Sequence, residues 1–94
     1  MGLFFTNRDD NEFIIVKEIY AAGHISPDIG RIYTGFSDLD EAMIFAVGLA
    51  QNIVKSPNKV QMKYFGEDFG SVIVQTESGR YVYACHPALN VNAA

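Results

Sequence analysis

One stretch of this sequence repeats its apolar residues with a helical period, while the segments on either side repeat them with a period of two. That contrast most constrains the fold. Leu39, Ala42, Met43, Ala46, Ala50, Ile53 and Val54 recur at three- and four-residue spacing, which forms one apolar stripe on a helix. Asp38 and Glu41 make a D-x-x-E start that resembles a capping box, with Ser37 as the competing N-cap. Asp38, Asp40 and Glu41 also place negative charge at the positive end of the helix dipole. Lys55 favours the C-terminal end, and Pro57 stops the helix.

Both flanks read as strands. Leu3–Thr6 is short and apolar and runs into the turn-like cluster Asn7-Arg8-Asp9-Asp10-Asn11. A long strand is expected from about Glu12 to Ala22, its run Phe13-Ile14-Ile15-Val16 buried on both faces. Ser26-Pro27-Asp28 supplies turn chemistry before a third strand over about Arg31–Phe36. After the helix, Val60, Met62 and Tyr64 alternate with Lys59, Gln61 and Lys63. Gly66 to Gly70 reads as a loop. Ser71–Glu77 and Arg80–His86 then flank Ser78-Gly79, a two-residue hairpin signal. With that turn Glu77 faces Arg80 and Val74 faces Tyr83. Val72, Val74, Thr76, Tyr81, Tyr83 and Cys85 then share one face, and Ile73, Gln75, Val82, Ala84 and His86 the other.

The order is β-β-β-α-β-β-β. It predicts one α+β domain over residues 1–94, an antiparallel sheet of about five to six strands with one helix packed on one face. A domain this small buries little more than roughly 60% of its chain surface. A single helix leaves the second face of the sheet in need of cover, and self-association is the simplest way to supply it.

Composition excludes several classes. With 49% hydrophobic, 13% aromatic and 19% charged residues, the chain is neither disordered nor collagen-like. No apolar run approaches the roughly 18–20 residues of a membrane span. The net charge of −4 argues against direct nucleic-acid binding. The single cysteine, Cys85, forms no internal disulfide and implies no oxidising compartment. There is no basic n-region and no A-x-A-like cleavage site, so no signal peptide is expected and the expected location is cytoplasmic. Met1-Gly2-Leu3-Phe4-Phe5-Thr6 fits the myristoylation pattern, but so short a pattern recurs by chance, and Leu3, Phe4 and Phe5 read as the start of a strand.

Catalytic constellations are weak. His24 and His86 are the two histidines, joined in principle by Cys85, Asp28 or Asp68, but no ligand pair at zinc-like spacing is present. Cys85 and His86 are adjacent, and in a strand adjacent side chains point to opposite faces, so they form no dyad. Cys85 on the Val72–Tyr83 face reads as a buried, inert thiol. No G-x-S-x-G elbow and no phosphate-binding loop occurs; Gly66-Glu67-Asp68-Phe69-Gly70 fills its glycine gap with carboxylates that repel phosphate. The sequence therefore predicts a protein that is not an enzyme and holds no metal or cofactor.

Two features exceed what folding requires. On a helical wheel Ile44 falls among Asp40, Gly48, Gln51 and Lys55 on the polar face, with Phe45 at its edge beside Asn52. An adjacent exposed Ile and Phe suggest a contact surface. The acidic residues also cluster: Asp9, Asp10 and Glu12; Asp38, Asp40 and Glu41; Glu67 and Asp68. All lie at turns or element starts, where they can line one end of the domain and imitate a phosphate backbone toward a basic groove.

The reading that follows is a small acidic protein-binding module, an inhibitor or adaptor that occupies a partner's surface. Its expected contacts are Ile44, Phe45, Glu41 and Gln51 on the helix, with Asp9, Asp10, Glu67 and Asp68 in the loops. Phage and mobile-element proteins directed at nucleic-acid-binding host or defence proteins offer an analogy of size and charge alone. Two other readings stand beside it. One is a homo-oligomeric assembly protein packing Ile73, Gln75, Val82 and Ala84 against a second copy. The other is a small-ligand binder with Tyr20, Tyr33, Tyr64, Tyr81 and Tyr83 lining a pocket between sheet and helix.

Overall fold

The computed structural model describes residues 12–54 and 59–88. Within them the order is β1 (Phe13–Ala21), β2 (Asp28–Phe36), α1 (Leu39–Ile53), β3 (Val60–Tyr64), β4 (Gly70–Thr76) and β5 (Gly79–Pro87). The class is therefore α+β, with two described strands before the helix where the sequence suggested three. The segment Leu3–Thr6, the turn after it with Asp9 and Asp10, and the stop residues Lys55 and Pro57 lie outside the described residues.

The five strands form one antiparallel sheet in the order β2-β1-β5-β4-β3. β5 is the central strand, joining the β1–β2 hairpin to the β3–β4 hairpin. β2 begins three residues earlier than Arg31 suggested, because β1 is long enough to pair Ile19 with Asp28. Two register shifts interrupt that pair, between Phe13 and Ile15 and between Lys17 and Glu18. Such bulges strengthen the local twist of an edge strand.

The β4–β5 turn corrects the expected register. Thr76 pairs with Gly79, Gln75 with Arg80 and Val74 with Tyr81, so Glu77 and Ser78 form the loop and Gly79 opens β5. Gly79 adopts φ +150°, and a Cβ there would collide with the Tyr20 carbonyl; only glycine lets β5 start this close to β1. Thr76 Oγ1 and Gln75 Nε2 each donate to the Gly79 carbonyl at 3.1 Å. The slip is two residues, and since side chains alternate, both face assignments survive it.

The helix starts as its sequence suggests. The Glu41 N–H donates to Asp38 Oδ1 at 2.8 Å, which makes Asp38 the N-cap. The Glu41 carboxylate reaches back past Asp38 to Ser37, whose N–H and hydroxyl both donate to Oε1 at 2.7 Å. At the other end Val54 leaves helical geometry with φ −121°, its N–H still bonded to Ala50 O.

One core lies between helix and sheet. Ala42, Met43, Ala46 and Ala50 are fully buried against Ile15, Val72, Val74, Tyr83 and Cys85, with Phe13, Phe36 and Leu39 closing the rim. The three alanines have short side chains, so the helix backbone approaches the sheet closely. α1 rests chiefly on β4 and β5. Edge strand β3 is covered less, which leaves Met62 and Tyr64 exposed although they share the helix side. No helix among the described residues is long and apolar enough to cross a membrane.

Candidate partner-binding surface

The outward side of α1 carries the apolar pair that its pattern singled out. Ile44 is 70% exposed and Phe45 46%. Gly48 lies one turn beyond Ile44, with nothing within 4 Å of where a Cβ would stand, so an apolar knob adjoins a bare notch. Gln51 is exposed on the same side.

Phe45 has a second role. Its ring lies 5.2 Å from Phe36 and 5.9 Å from Tyr33, both tilted, within the range of favourable aromatic pairs. Arg31 stacks on Tyr33 at 5.2 Å. These contacts fill the corner between the helix and edge strand β2, which the alanine-lined part of the helix does not reach. Ile44 is thus the freer of the two side chains.

One turn toward the helix start, Asp38, Asp40 and Glu67 surround a shallow groove of about 400 Å³ whose other walls are Leu39, Tyr64 and Gly66. The Tyr64 hydroxyl donates to Asp40 Oδ1 at 3.2 Å. Desolvation, the hydrogen bond to Asp40 and the charge of Asp40 hold the Tyr64 phenol above its usual range, so it stays a neutral donor. Glu41 is bound to Ser37, and the backbone and side-chain hydrogen bonds from that residue hold its carboxyl below the usual range. Asp68 occupies the exposed β3–β4 loop beside Glu67, closed by the Phe65 N–H donating to Phe69 O at 2.7 Å.

The structure therefore places Glu41, Ile44 and Phe45 close together along α1, with Phe45 turned toward β2, whereas Glu67 meets Asp38 and Asp40 at the groove beside β3, with Asp68 next to it in the same loop. Gln51 stands two turns beyond Ile44. Asp9 and Asp10 lie outside the described residues. Sequence reasoning gave Tyr64 to a ligand pocket and missed that it ties the β3 edge to the helix start. Its place at the end of an alternating strand gave its face, but not that α1 would leave β3 uncovered.

The other candidate chemistry is dispersed. Cys85 is buried in the core, and burial pushes its thiol up to about 11. His86 lies on the opposite face, its Nδ1 2.9 Å from the Pro87 carbonyl and its ring edge-on to Phe69. His24 sits in the exposed β1–β2 loop. Among the described residues no group of three or more His, Cys, Asp or Glu side chains is placed to hold a metal ion. The five tyrosines do not line one pocket. Tyr83 is buried, and Tyr33 and Tyr81 pack against the core. Tyr64 is exposed at the edge, and Tyr20 faces the other side of the sheet beneath Arg80 at 4.6 Å. Compared with known proteins, the chain matches no family model, no curated protein and no solved structure.

Proposed function

We propose that this chain is a small, acidic, non-enzymatic protein-binding module, an inhibitor or adaptor that acts in the cytoplasm by occupying a partner's surface. The observation that carries the reading is the position of Ile44. It is a 70% exposed aliphatic side chain in the middle of an outward helix face, next to Phe45 and one turn from the groove formed by Asp38, Asp40 and Glu67. An apolar centre beside a charged rim is the usual anatomy of a protein interface. The matching surface is an apolar pocket bordered by lysines and arginines, which a nucleic-acid-binding protein presents.

Phe45 supports the fold as well as the surface, so substituting Ile44 alone gives the clean test. A tagged chain and its Ile44→Glu variant, matched for thermal stability, are used to capture partners from a lysate of the native host. The capture is repeated at about 0.5 M salt, where the Debye length falls to roughly 4–5 Å. A stoichiometric partner held by the parent chain, weakened by salt and lost with Ile44→Glu is the expected result. A partner retained equally by both proteins overturns the assignment.

A second reading has its own support. Ile73 and Val82 lie half-buried on the side of the sheet away from α1, and no described helix covers them; Ala84 on the same side is already buried. Packing against a second copy would bury that face. Sedimentation of the parent chain and of Val82→Glu separates the two: a dimer abolished by the substitution favours assembly, and a monomer in both favours the module.

A further inference from the structure

The face of the sheet opposite the helix is chemically uneven. Toward the β3 edge it forms a shallow dish of about 720 Å³. Lys59, Lys63 and Arg80 stand at its rim, Ile73 and Val82 form its floor, and Phe65 closes one end. Among the described residues that line it there is no carboxylate, in a chain whose net charge is −4. The pairing fixes the layout. Gln75 and Arg80 are opposite each other, Ile73 and Val82 form the next row, and Lys63 and Ser71 belong to the row beyond.

Lysines on an edge strand commonly serve to block pairing with other sheets, and that accounts for part of the pattern. It does not account for Arg80. This residue is on β5, the central strand, where there is no edge to guard, and its guanidinium is steadied over the Tyr20 ring at 4.6 Å. Among the described strand residues of this face the carboxylate is Glu18, opposite Val82 on β1 and approached by the Tyr20 hydroxyl at 3.4 Å. It lies outside the dish.

We propose that this dish docks an extended acidic peptide of a partner protein, with two carboxylates four residues apart and an apolar residue midway between them. The spacing follows from strand geometry. Lys59 directly precedes β3 and Lys63 lies on it, four residues apart, at most about 13 Å at roughly 3.3 Å per residue. An extended peptide repeats the same face at the same interval. Its first carboxylate meets Lys59, at the end of the dish where Gln75 and Arg80 pair, and its second meets Lys63. The side chain midway between them points down onto Ile73 and Val82. Gln61 and the Oε1 of Gln75, both on exposed residues, offer hydrogen-bonding groups to the peptide backbone. A single-stranded nucleic acid is the less favoured polyanion: it binds by stacking bases on rings, whereas this floor is aliphatic, and the net charge of −4 opposes its approach.

This site is independent of the helix-face reading, because it lies on the opposite side of the sheet, and its failure leaves that reading untouched. With both surfaces in use the molecule is a two-sided adaptor, acidic on one side and basic on the other.

The test is fluorescence anisotropy on the full chain with a labelled Gly-Glu-Thr-Leu-Thr-Glu-Gly peptide. Control peptides move the two glutamates to adjacent positions or replace leucine with serine, and a thymidylate oligonucleotide is a further probe. The designed peptide is expected to bind at least about tenfold more tightly than either control, a difference well within reach of this measurement. Lys59→Glu/Lys63→Glu is expected to remove that binding while leaving melting temperature and sedimentation unchanged, and the milder Lys63→Gln to weaken it. Absent binding, or equal binding of all three peptides, overturns the proposal. So does tighter binding of the oligonucleotide, or a dimer of the parent chain that the lysine substitutions dissociate, which would make a second copy the occupant.

Discussion

The sulfur of Met43 lies over the bare backbone of Gly70, where a Cβ would come within 2.8 Å of it and 3.1 Å from the Lys63 carbonyl. This contact couples the second turn of the helix to the first residue of β4, behind the acidic groove. Gly70→Ala is expected to cost about 1–3 kcal/mol, as overpacking of a full core does. In Met43→Ala, itself destabilising by about 2–5 kcal/mol, the added methyl should cost less, because the sulfur is gone. Urea titrations of the two single variants and the double variant measure the coupling; strictly additive costs would show that the two sites do not touch.

The two adjacent apolar residues on the helix should separate cleanly. Phe45→Ala removes two ring contacts, each worth about 0.5–1.5 kcal/mol, and should lower stability by about 1–3 kcal/mol. Ile44→Glu changes a solvent-facing position and should stay within about 0.5 kcal/mol of the parent. Denaturant midpoints check both. Equal losses would mean that Ile44 is covered and is no contact residue.

Glu41 makes the helix start sensitive to acid. Its carboxyl is held below the ordinary range by Ser37, so the folded state favours the ionised form. The stabilisation is present above the unfolded carboxylate pKa and fades as pH falls through the lower folded value. Parent and Glu41→Gln proteins should differ in melting temperature at neutral pH and converge on acidification. A difference constant across that range would assign the effect to something other than the Ser37 contact.

The core responds to alkali in the opposite direction. Burial raises the Cys85 thiol from 9.0 to about 11 and the Tyr83 phenol from 10.0 to about 12. Both groups favour the neutral folded state, so stability is complete below the unfolded values and declines as pH rises through the folded ones. Cys85→Ala should show a shallower decline between pH 9.0 and about 11. Iodoacetamide should label Cys85 only as fast as the protein opens. Rapid labelling of the native protein at neutral pH would contradict the buried position.

Much of the architecture could be read in the sequence because it follows local periodicity. The stripe from Leu39 to Ile53 and the cap at Asp38 depend on neighbours three and four residues away. The alternation around Tyr81, Tyr83 and Cys85 is equally local. The β4–β5 register was less accessible. Ser78-Gly79 carries the stronger hairpin signal, yet the turn falls at Glu77-Ser78 because Gly79 must pass the Tyr20 carbonyl on β1, a strand nearly 60 residues away in sequence. The site shows the same division. Exposure of Ile44 follows from the wheel, whereas the Tyr64–Asp40 bond joins elements 24 residues apart. The grouping of Lys59, Lys63 and Arg80 required the pairing of β3, β4 and β5, which no single segment encodes.

The central place of β5 has a kinetic consequence. The strand that joins the two hairpins is the last of the six described elements to leave the ribosome. Until it arrives, β1–β2 and β3–β4 are separate ribbons, each below the size at which a sheet is stable alone, and α1 has no complete floor to settle on. The domain therefore stays unfolded until β5 has emerged, and then folds in one step. Chains broken off before Gly79 would expose open strand edges suited to aggregation and lack the middle of the domain.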